Sequence, residues 1–338
     1  MNILNISYII FNFLLFFYFR NISDLINIYD KSGGRKIHRG NISLAGGIFV
    51  FISIFSFISI SKLYEISFFN QLLINETQTL IFLLTSCMFF LIGLVDDKKD
   101  LSSKYKIFLF LIFIIFYLNF DPSLVLEILF FSFVDKIILL QSASFVFTLI
   151  CIIIFINAFN MYDGSNGQIG IYSLIFLLYI SFKLQNLDLL IITIPIILFL
   201  ILNFKSKTFL GNSGSYFLGF LFSFIIIKTY KLDSNNLKAD EVVLLMFYPI
   251  FDLTRLFVLR LINNKNPFIG DRQHIHHYLL NKFKKNYIVQ IYLFILVTLP
   301  IIIYETFKIN LILILIINLI IYLSVIIKTK NSKNIDNG

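Results

Sequence analysis

Apolar runs long enough to cross a bilayer as helices recur along all 338 residues of this chain. Hydrocarbon offers no water to satisfy backbone N–H and C=O groups, so such a chain can fold only as spanning helices or as a closed barrel. Unbroken apolar runs, without the alternation of barrel strands, select helices. Eleven candidate spans read Ile3 to Phe19, Ile42 to Ile60, Thr79 to Val95, Tyr105 to Phe120, Ala143 to Phe159, Gln168 to Phe182, Leu187 to Asn203, Ser213 to Ile227, Val242 to Leu261, Val289 to Tyr304 and Ile309 to Ile327. With 58% hydrophobic residues, 14% charged residues and a mean hydropathy of +0.88, no stretch is left for a separate soluble domain. The expected fold class is all-α, one polytopic domain over residues 1–330 with a polar tail at 331–338.

Basic residues resist translocation, so their distribution orients the spans. Alternate loops divide the 28 lysines and arginines unevenly, 21 on one side and seven on the other. The richer side is expected to be cytoplasmic, which puts the N-terminus outside and the C-terminus inside. The first apolar run has Arg20 after it and no basic residue before it; it reads as a retained helix and not as a cleaved signal. The net charge of +9 is accounted for by topology and anionic lipid, and calls for no nucleic acid. Cys87 and Cys151 lie within predicted helices and act as small apolar residues. Residues 121–141 read as an external hairpin or a short interfacial helix, and many of the 42 phenylalanines are expected to face lipid.

The polar residues with chemistry to offer crowd into loops on the basic side. In LIGLVDDKKDLSSKYK, Asp96 and Asp97 end a membrane helix, where two carboxylates repel each other and the helix dipole. A divalent metal, a general-base role or simple hydration would each make that tolerable. NAFNMYDGSNGQIG places Asn157 and Asn160 one helical turn apart and Asp163 in a glycine-rich turn; its amides can hold magnesium or phosphate, and its DG and NG steps also suit a plain turn. FLGNSGSYFLGF delivers Gly211, Asn212, Gly214 and Ser215 to a helix start. This is either an anion site of exposed N–H groups or a helix capped by Asn212 or Ser213. The last loop gathers Arg272, His274, His276 and His277, three of the four histidines in the chain. Zinc is disfavoured there by Arg260, Lys265 and Arg272, whereas arginine and histidine together suit a pyrophosphate. Asp252 in the preceding span pairs most simply with Arg255.

Together these loops resemble the polyprenyl-phosphate N-acetylhexosamine-1-phosphate transferases, the glycosyltransferase family 4 group that includes bacterial undecaprenyl-phosphate GlcNAc-1-phosphate transferases. The matching motifs are Asp96-Asp97 with Lys106, NAFNM-DG over Asn157 to Gly164, GxxGS over Gly211 to Ser215, and PFxxDRxHxHH over Pro267 to His277, with Arg35, Lys36, His38, Gly46 and Gly47 in the first loop. Eleven spans resemble the branch using simple UDP-N-acetyl sugars more than the ten-span peptidoglycan branch. There are departures. Asn212 stands where the family usually has a magnesium-binding aspartate, Asn166 stands at the second aspartate of DGxDG, Ser32 and Ser43 replace prolines, and Phe110 replaces a glutamine.

The resemblance implies a Mg2+-dependent enzyme, with Mn2+ as a substitute, in the bacterial inner membrane with its site on the cytoplasmic face. A polyprenyl phosphate would attack the sugar-bearing phosphorus of a UDP-sugar and release UMP, the first membrane step of a cell-envelope polysaccharide such as O-antigen. It implies Asp96, Asp97 and Asp163 as catalytic groups, and Asp97, Asn160 and Asn212 around the metal. Lys106, Asn157, Asn160, Arg272, His274, His276 and His277 would bind substrate. A homodimer is compatible with this reading. The rival readings are a weakened or inactive carrier-lipid paralogue, motivated by Asn212 and Asn166, and a transporter, whose polar groups should lie near the bilayer midplane.

Overall fold

The computed structural model describes residues 3–30, 40–63, 68–232, 237–267 and 273–335. The first-loop motif at Arg35, Lys36 and His38, with Ser32, and the substrate residue Arg272 lie outside the described residues. The chain forms two compact units, Met1–Glu127 with Leu140–Asn236, and Ile128–Leu139 with Leu237–Gly338.

The larger unit holds α1 (Ile3–Phe17), α2 (Phe19–Ile26), α3 (Ala45–Leu63), α4 (Phe69–Leu72), α5 (Glu76–Lys99), α6 (Ser103–Phe120), α7 (Ser144–Tyr162), α8 (Gln168–Leu184), α9 (Thr193–Phe204) and α10 (Gly211–Leu232). A two-residue antiparallel ladder of β1 (Tyr29–Asp30) and β2 (Ile42–Ser43) precedes α3. At the centre lies α10, in which every residue from Ser213 to Tyr230 is buried. α3, α5 and α7 pack around it. Its small residues let neighbours approach closely, as membrane helices without a hydrophobic drive between them require. A Cβ on Gly47 would come within 2.5 Å of the Gly214 backbone nitrogen, and one on Gly93 within 2.4 Å of the Ser213 Cα.

Phenylalanines also build this core, while others such as Phe17, Phe108, Phe182 and Phe307 are exposed as expected of lipid-facing rings. Phe82, Phe89, Phe110, Phe159, Phe176, Phe217, Phe220 and Phe222 are all fully buried. Phe51 stacks on Phe90 at 3.9 Å between ring centroids, Phe176 on Phe222 at 4.3 Å and Phe89 on Phe220 at 4.9 Å. Lipid tails are as apolar as leucine, so a bilayer does not sort apolar residues outward, and ring stacking rewards placing them between helices. At the far end of α10 from Gly211, Lys228 pairs with Asp121 at 3.0 Å, and Asp121 also accepts from Tyr117 and Gln78.

The smaller unit contains the hairpin β3 (Ile128–Phe131) and β4 (Val134–Leu139), then α11 (Ala239–Leu245), α12 (Phe247–Ile262), α13 (Ile275–Phe283), α14 (Asn286–Phe307) and α15 (Leu311–Ile335). Of the two readings of residues 121–141, the hairpin is the one found. The Ser132 N–H bonds both carboxylate oxygens of buried Asp240 at 3.1 Å, tying the hairpin to α11.

The chain is a predominantly helical polytopic membrane protein. Among the described residues, seven helices are long and apolar enough to cross a membrane, or nine if two bent pairs each count as one span. The bent pairs, α1 with α2 (61°) and α11 with α12 (77°), interrupt two runs that read as single spans. Gln168–Leu184 and Asp188–Phe204 are apolar but shorter.

Candidate active site

Two polar clusters form where the loop motifs fold, one in each unit. In the larger unit, α5 ends with Asp96 and Asp97 beside the start of α10. The two carboxylates divide their tasks. Asp96 is buried and accepts from Lys106 Nζ at 2.9 Å, Tyr216 Oη at 2.8 Å and the Leu101 N–H at 2.8 Å. Asp97 accepts from the backbone N–H of Asn212 at 2.8 Å and of Ser213 at 3.0 Å. A carboxylate disfavoured by the negative end of α5 is thus held at the positive end of α10, where such contacts contribute about 0.3–2 kcal/mol each.

This arrangement corrects two readings of the glycine-rich turn. α10 begins at Gly211, so neither Asn212 nor Ser213 is its N-cap. The N–H groups of Asn212 and Ser213 already serve Asp97, so the helix start is not an open anion cradle. The turn is built for this contact: Gly211 has φ +72°, and a Cβ there would lie 2.8 Å from an Asp97 carboxylate oxygen.

Beside Asp97, the Asn160 side chain donates to Asn212 Oδ1 at 2.9 Å and to Ser215 Oγ at 2.7 Å. Asp163 follows the last turn of α7, where its carboxylate has no hydrogen-bond or ion-pair partner among the described residues. Burial, and then the negative charge of Asp97, push its pKa up to about 7. Asn157, one turn before Asn160, donates to the Ile153 carbonyl of its own helix at 2.8 Å and joins none of these groups. Asn166 bonds Ser206 at 2.8 Å, in the turn joining α7 to α8. Lys106, expected to neutralise phosphate, is paired with Asp96.

No group of three His, Cys, Asp or Glu side chains able to hold a metal occurs among the described residues. A small hard cation needs less, because magnesium keeps several waters and takes one or two carboxylates plus substrate phosphate. Asp163, unpartnered and next to the charge of Asp97, with the amides of Asn160 and Asn212 alongside, fits that demand.

In the smaller unit, Asp252 pairs with Arg255 at 2.9 Å, as its i, i+3 spacing predicts, and lies 2.8 Å from His274 Nδ1. His274 stacks on His276 with ring centroids 5.5 Å apart, and His276 lies 4.2 Å from His277. Both ring nitrogens of His276 are buried without a partner among the described residues. Burial, and then the neighbouring His277 and His274, hold its pKa well below the usual histidine range, so the ring is neutral.

Sequence reading missed Tyr216 and Tyr322. Tyr216 directly follows the GNSGS turn, a cue that was available. Tyr322 donates to Asp252 at 2.7 Å from α15, and no local motif marks it.

Polar clusters of carboxylate, amide and imidazole on membrane helices define a membrane-embedded enzyme handling anionic substrates. The family model of glycosyl transferase family 4 matches residues 79–230 of the chain. That segment contains the whole Asp96 to Ser215 cluster. The chain is similar to the undecaprenyl-phosphate alpha-N-acetylglucosaminyl 1-phosphate transferase of Yersinia pestis, with 29% identity over 83% of this chain and 78% of the relative. The enzyme of the same name from Escherichia coli K12 is 27% identical over 81% of this chain and 75% of the relative. A probable undecaprenyl-phosphate N-acetylglucosaminyl 1-phosphate transferase of Bacillus subtilis is 27% identical over 77% and 72%.

Proposed function

We propose that this protein transfers an N-acetylhexosamine 1-phosphate from a UDP-sugar to undecaprenyl phosphate, releasing UMP. The observation that carries the reading is the Asp97, Asp163, Asn160 and Asn212 cluster, lying inside the segment that matches the family. Relatives named for this reaction, similar over about four-fifths of the chain, support it. All reacting groups are anions, so they must be neutralised and aligned before the carrier phosphate can attack phosphorus. Magnesium bound by Asp97, Asp163 and the two asparagine amides would supply charge neutralisation. With a pKa of about 7, Asp163 can lose its proton on entry of a cation, and its ionised form can take one from the acceptor phosphate. Lys106, anchored by Asp96, presents positive charge, and the histidines bind the donor pyrophosphate. The seven long helices, two bent pairs and two shorter helices make eleven crossings in this reading. The basic loops face the cytoplasm of the bacterial inner membrane in this reading.

Purified protein in detergent, given undecaprenyl phosphate, magnesium and a panel of UDP-N-acetylhexosamines, is expected to release UMP only when lipid and one donor are both present. Binding of a UDP-sugar without turnover, with an active relative run in parallel, would favour the inactive paralogue motivated by Asn212 and Asn166.

Asp163 gives a proton-linked prediction. Its pKa is about 7 in the folded protein against 3.8 for the free side chain, so between about pH 4 and 7 the folded state keeps a proton that the unfolded chain has lost. Stability from this group therefore falls as pH rises through that window. Magnesium binding near pH 6.5 is expected to release most of a proton from Asp163, measured by calorimetry in buffers of different ionisation enthalpy. Release should fall close to zero above about pH 8 and drop to the small share from Asp97 in Asp163→Asn; equal release at both pH values would remove Asp163 from the cation site.

A further inference from the structure

Asp252 makes more contacts than its pairing with Arg255 requires. Its Oδ1 accepts from Tyr322 Oη at 2.7 Å and Arg255 Nη2 at 2.9 Å, and Arg255 Nε donates in turn to Tyr322 Oη at 2.6 Å. Its Oδ2 lies 2.8 Å from His274 Nδ1, and the Ile275 N–H reaches both oxygens at 3.3 and 3.4 Å. His274 is the N-cap position of α13, with φ −72° and ψ 152°, and makes no capping bond of its own. Asp252 therefore does for α13 what Asp97 does for α10: a carboxylate from one helix receives N–H from the first turn of another.

A carboxylate paired with arginine is an acceptor only, so the proton shared with His274 sits on Nδ1. Nε2 is left as the ring nitrogen without a partner among the described residues. We propose that Asp252 is a positioning residue for the donor subsite, fixing His274 as its Nδ1–H tautomer and setting the start of the helix that carries His276 and His277. This rests on the reading of the histidines as the UDP-sugar pyrophosphate site. When a phosphate oxygen comes against Nε2, a proton taken up there from solvent makes the ring an imidazolium held between two anions, phosphate and Asp252. Tyr322 and Arg255 keep Asp252 in place by occupying its other oxygen. Carboxylates that orient a metal-bound imidazole in the same way typically contribute 10–100-fold to the site they serve, which sets the scale here.

The test uses full-length protein in detergent with 15N-labelled histidine. The wild-type spectrum is expected to contain one ring, absent from His274→Gln, with its proton on Nδ1 and a lone pair on Nε2. Asp252→Asn is expected to abolish that pattern and to raise KM for the UDP-sugar roughly 10–100-fold with a smaller change in kcat. Tyr322→Phe, which keeps the carboxylate, is expected to keep the tautomer and raise KM only about threefold. A purely structural role would lower folded yield while leaving the tautomer and KM of the folded fraction unchanged, and that result overturns the proposal, as does an Nε2–H tautomer in the wild type. If no UDP-sugar is turned over by the wild type, the transfer reading fails, and the spectra alone decide whether Asp252 sets the tautomer. If turnover is normal and Asp252→Asn leaves KM unchanged, the transfer reading stands and the positioning role falls.

Discussion

Asp97→Asn is expected to lower the turnover of UDP-sugar by about 10²–10³-fold, the loss typical when one fixed electrostatic group is removed from a reacting site. The change is nearly isosteric, so the gap between Gly93, Gly211 and the start of α10 remains filled. What disappears is the negative charge that receives the N–H groups of Asn212 and Ser213 and that faces Asp163. Loss of a helix-capping acceptor costs about 1 kcal/mol, too little to unfold a chain of this size, so the variant should insert and purify normally. UMP release normalised to monodisperse protein is the measurement. Turnover within threefold of wild type would show that Asp97 serves α10 alone and has no part in the chemistry. Asp96→Asn makes a useful contrast. Its carboxylate is enclosed by Lys106, Tyr216 and the Leu101 N–H, so its replacement should disturb the packing of α6 against α5 and reduce folded yield as well as activity.

The membrane class was legible because apolar runs of spanning length have one physical solution, and the eleven runs all fall on helices. Two bends went unread, and one had a local cue: the break at Met246 lies inside an uncharged apolar run, but its 77° turn falls where Pro249, in the first turn of α12, has no N–H to give the Leu245 carbonyl. Asp96, Asp97, Asn160, Asp163 and Asn212 stood out as polar residues at helix ends, and the structure gathers them. Asn157 stood out equally, yet its amide bonds its own helix, because one helical turn of separation does not fix where a side chain points. The division of labour within the Asp96-Asp97 pair was hidden, since it depends on Tyr216 and on α10 arriving from more than a hundred residues away. Which phenylalanines face lipid and which build the core was hidden for a related reason. Composition cannot tell a lipid-facing ring from one stacked between helices when both surroundings are equally apolar.

Gly93→Ala is expected to cost about 100-fold in activity although Gly93 touches no reacting group. It lies one turn before Asp97 on α5, and an added Cβ would come within 2.4 Å of the Asn212 carbonyl oxygen and the Ser213 Cα. Those atoms are backbone, so no side chain can rotate away, and α10 must retreat from α5 by the better part of an ångström. That movement stretches the Asp97 contacts to the same two residues, which now stand at 2.8 and 3.0 Å, and draws Asn212 away from its place beside Asn160. Misplacement of about 1 Å in a positioned site is enough for a 10²-fold loss, and overpacking a tight helix contact costs about 1–3 kcal/mol in stability. Thermal unfolding in detergent and UMP release should therefore fall together, with magnesium affinity weakened in parallel. If Gly93→Ala keeps wild-type turnover and melting temperature, the close approach of α5 to the start of α10 is not what holds Asp97 in place. The carboxylate-amide cluster would then owe its geometry to Asn160 and Ser215 on the α7 side.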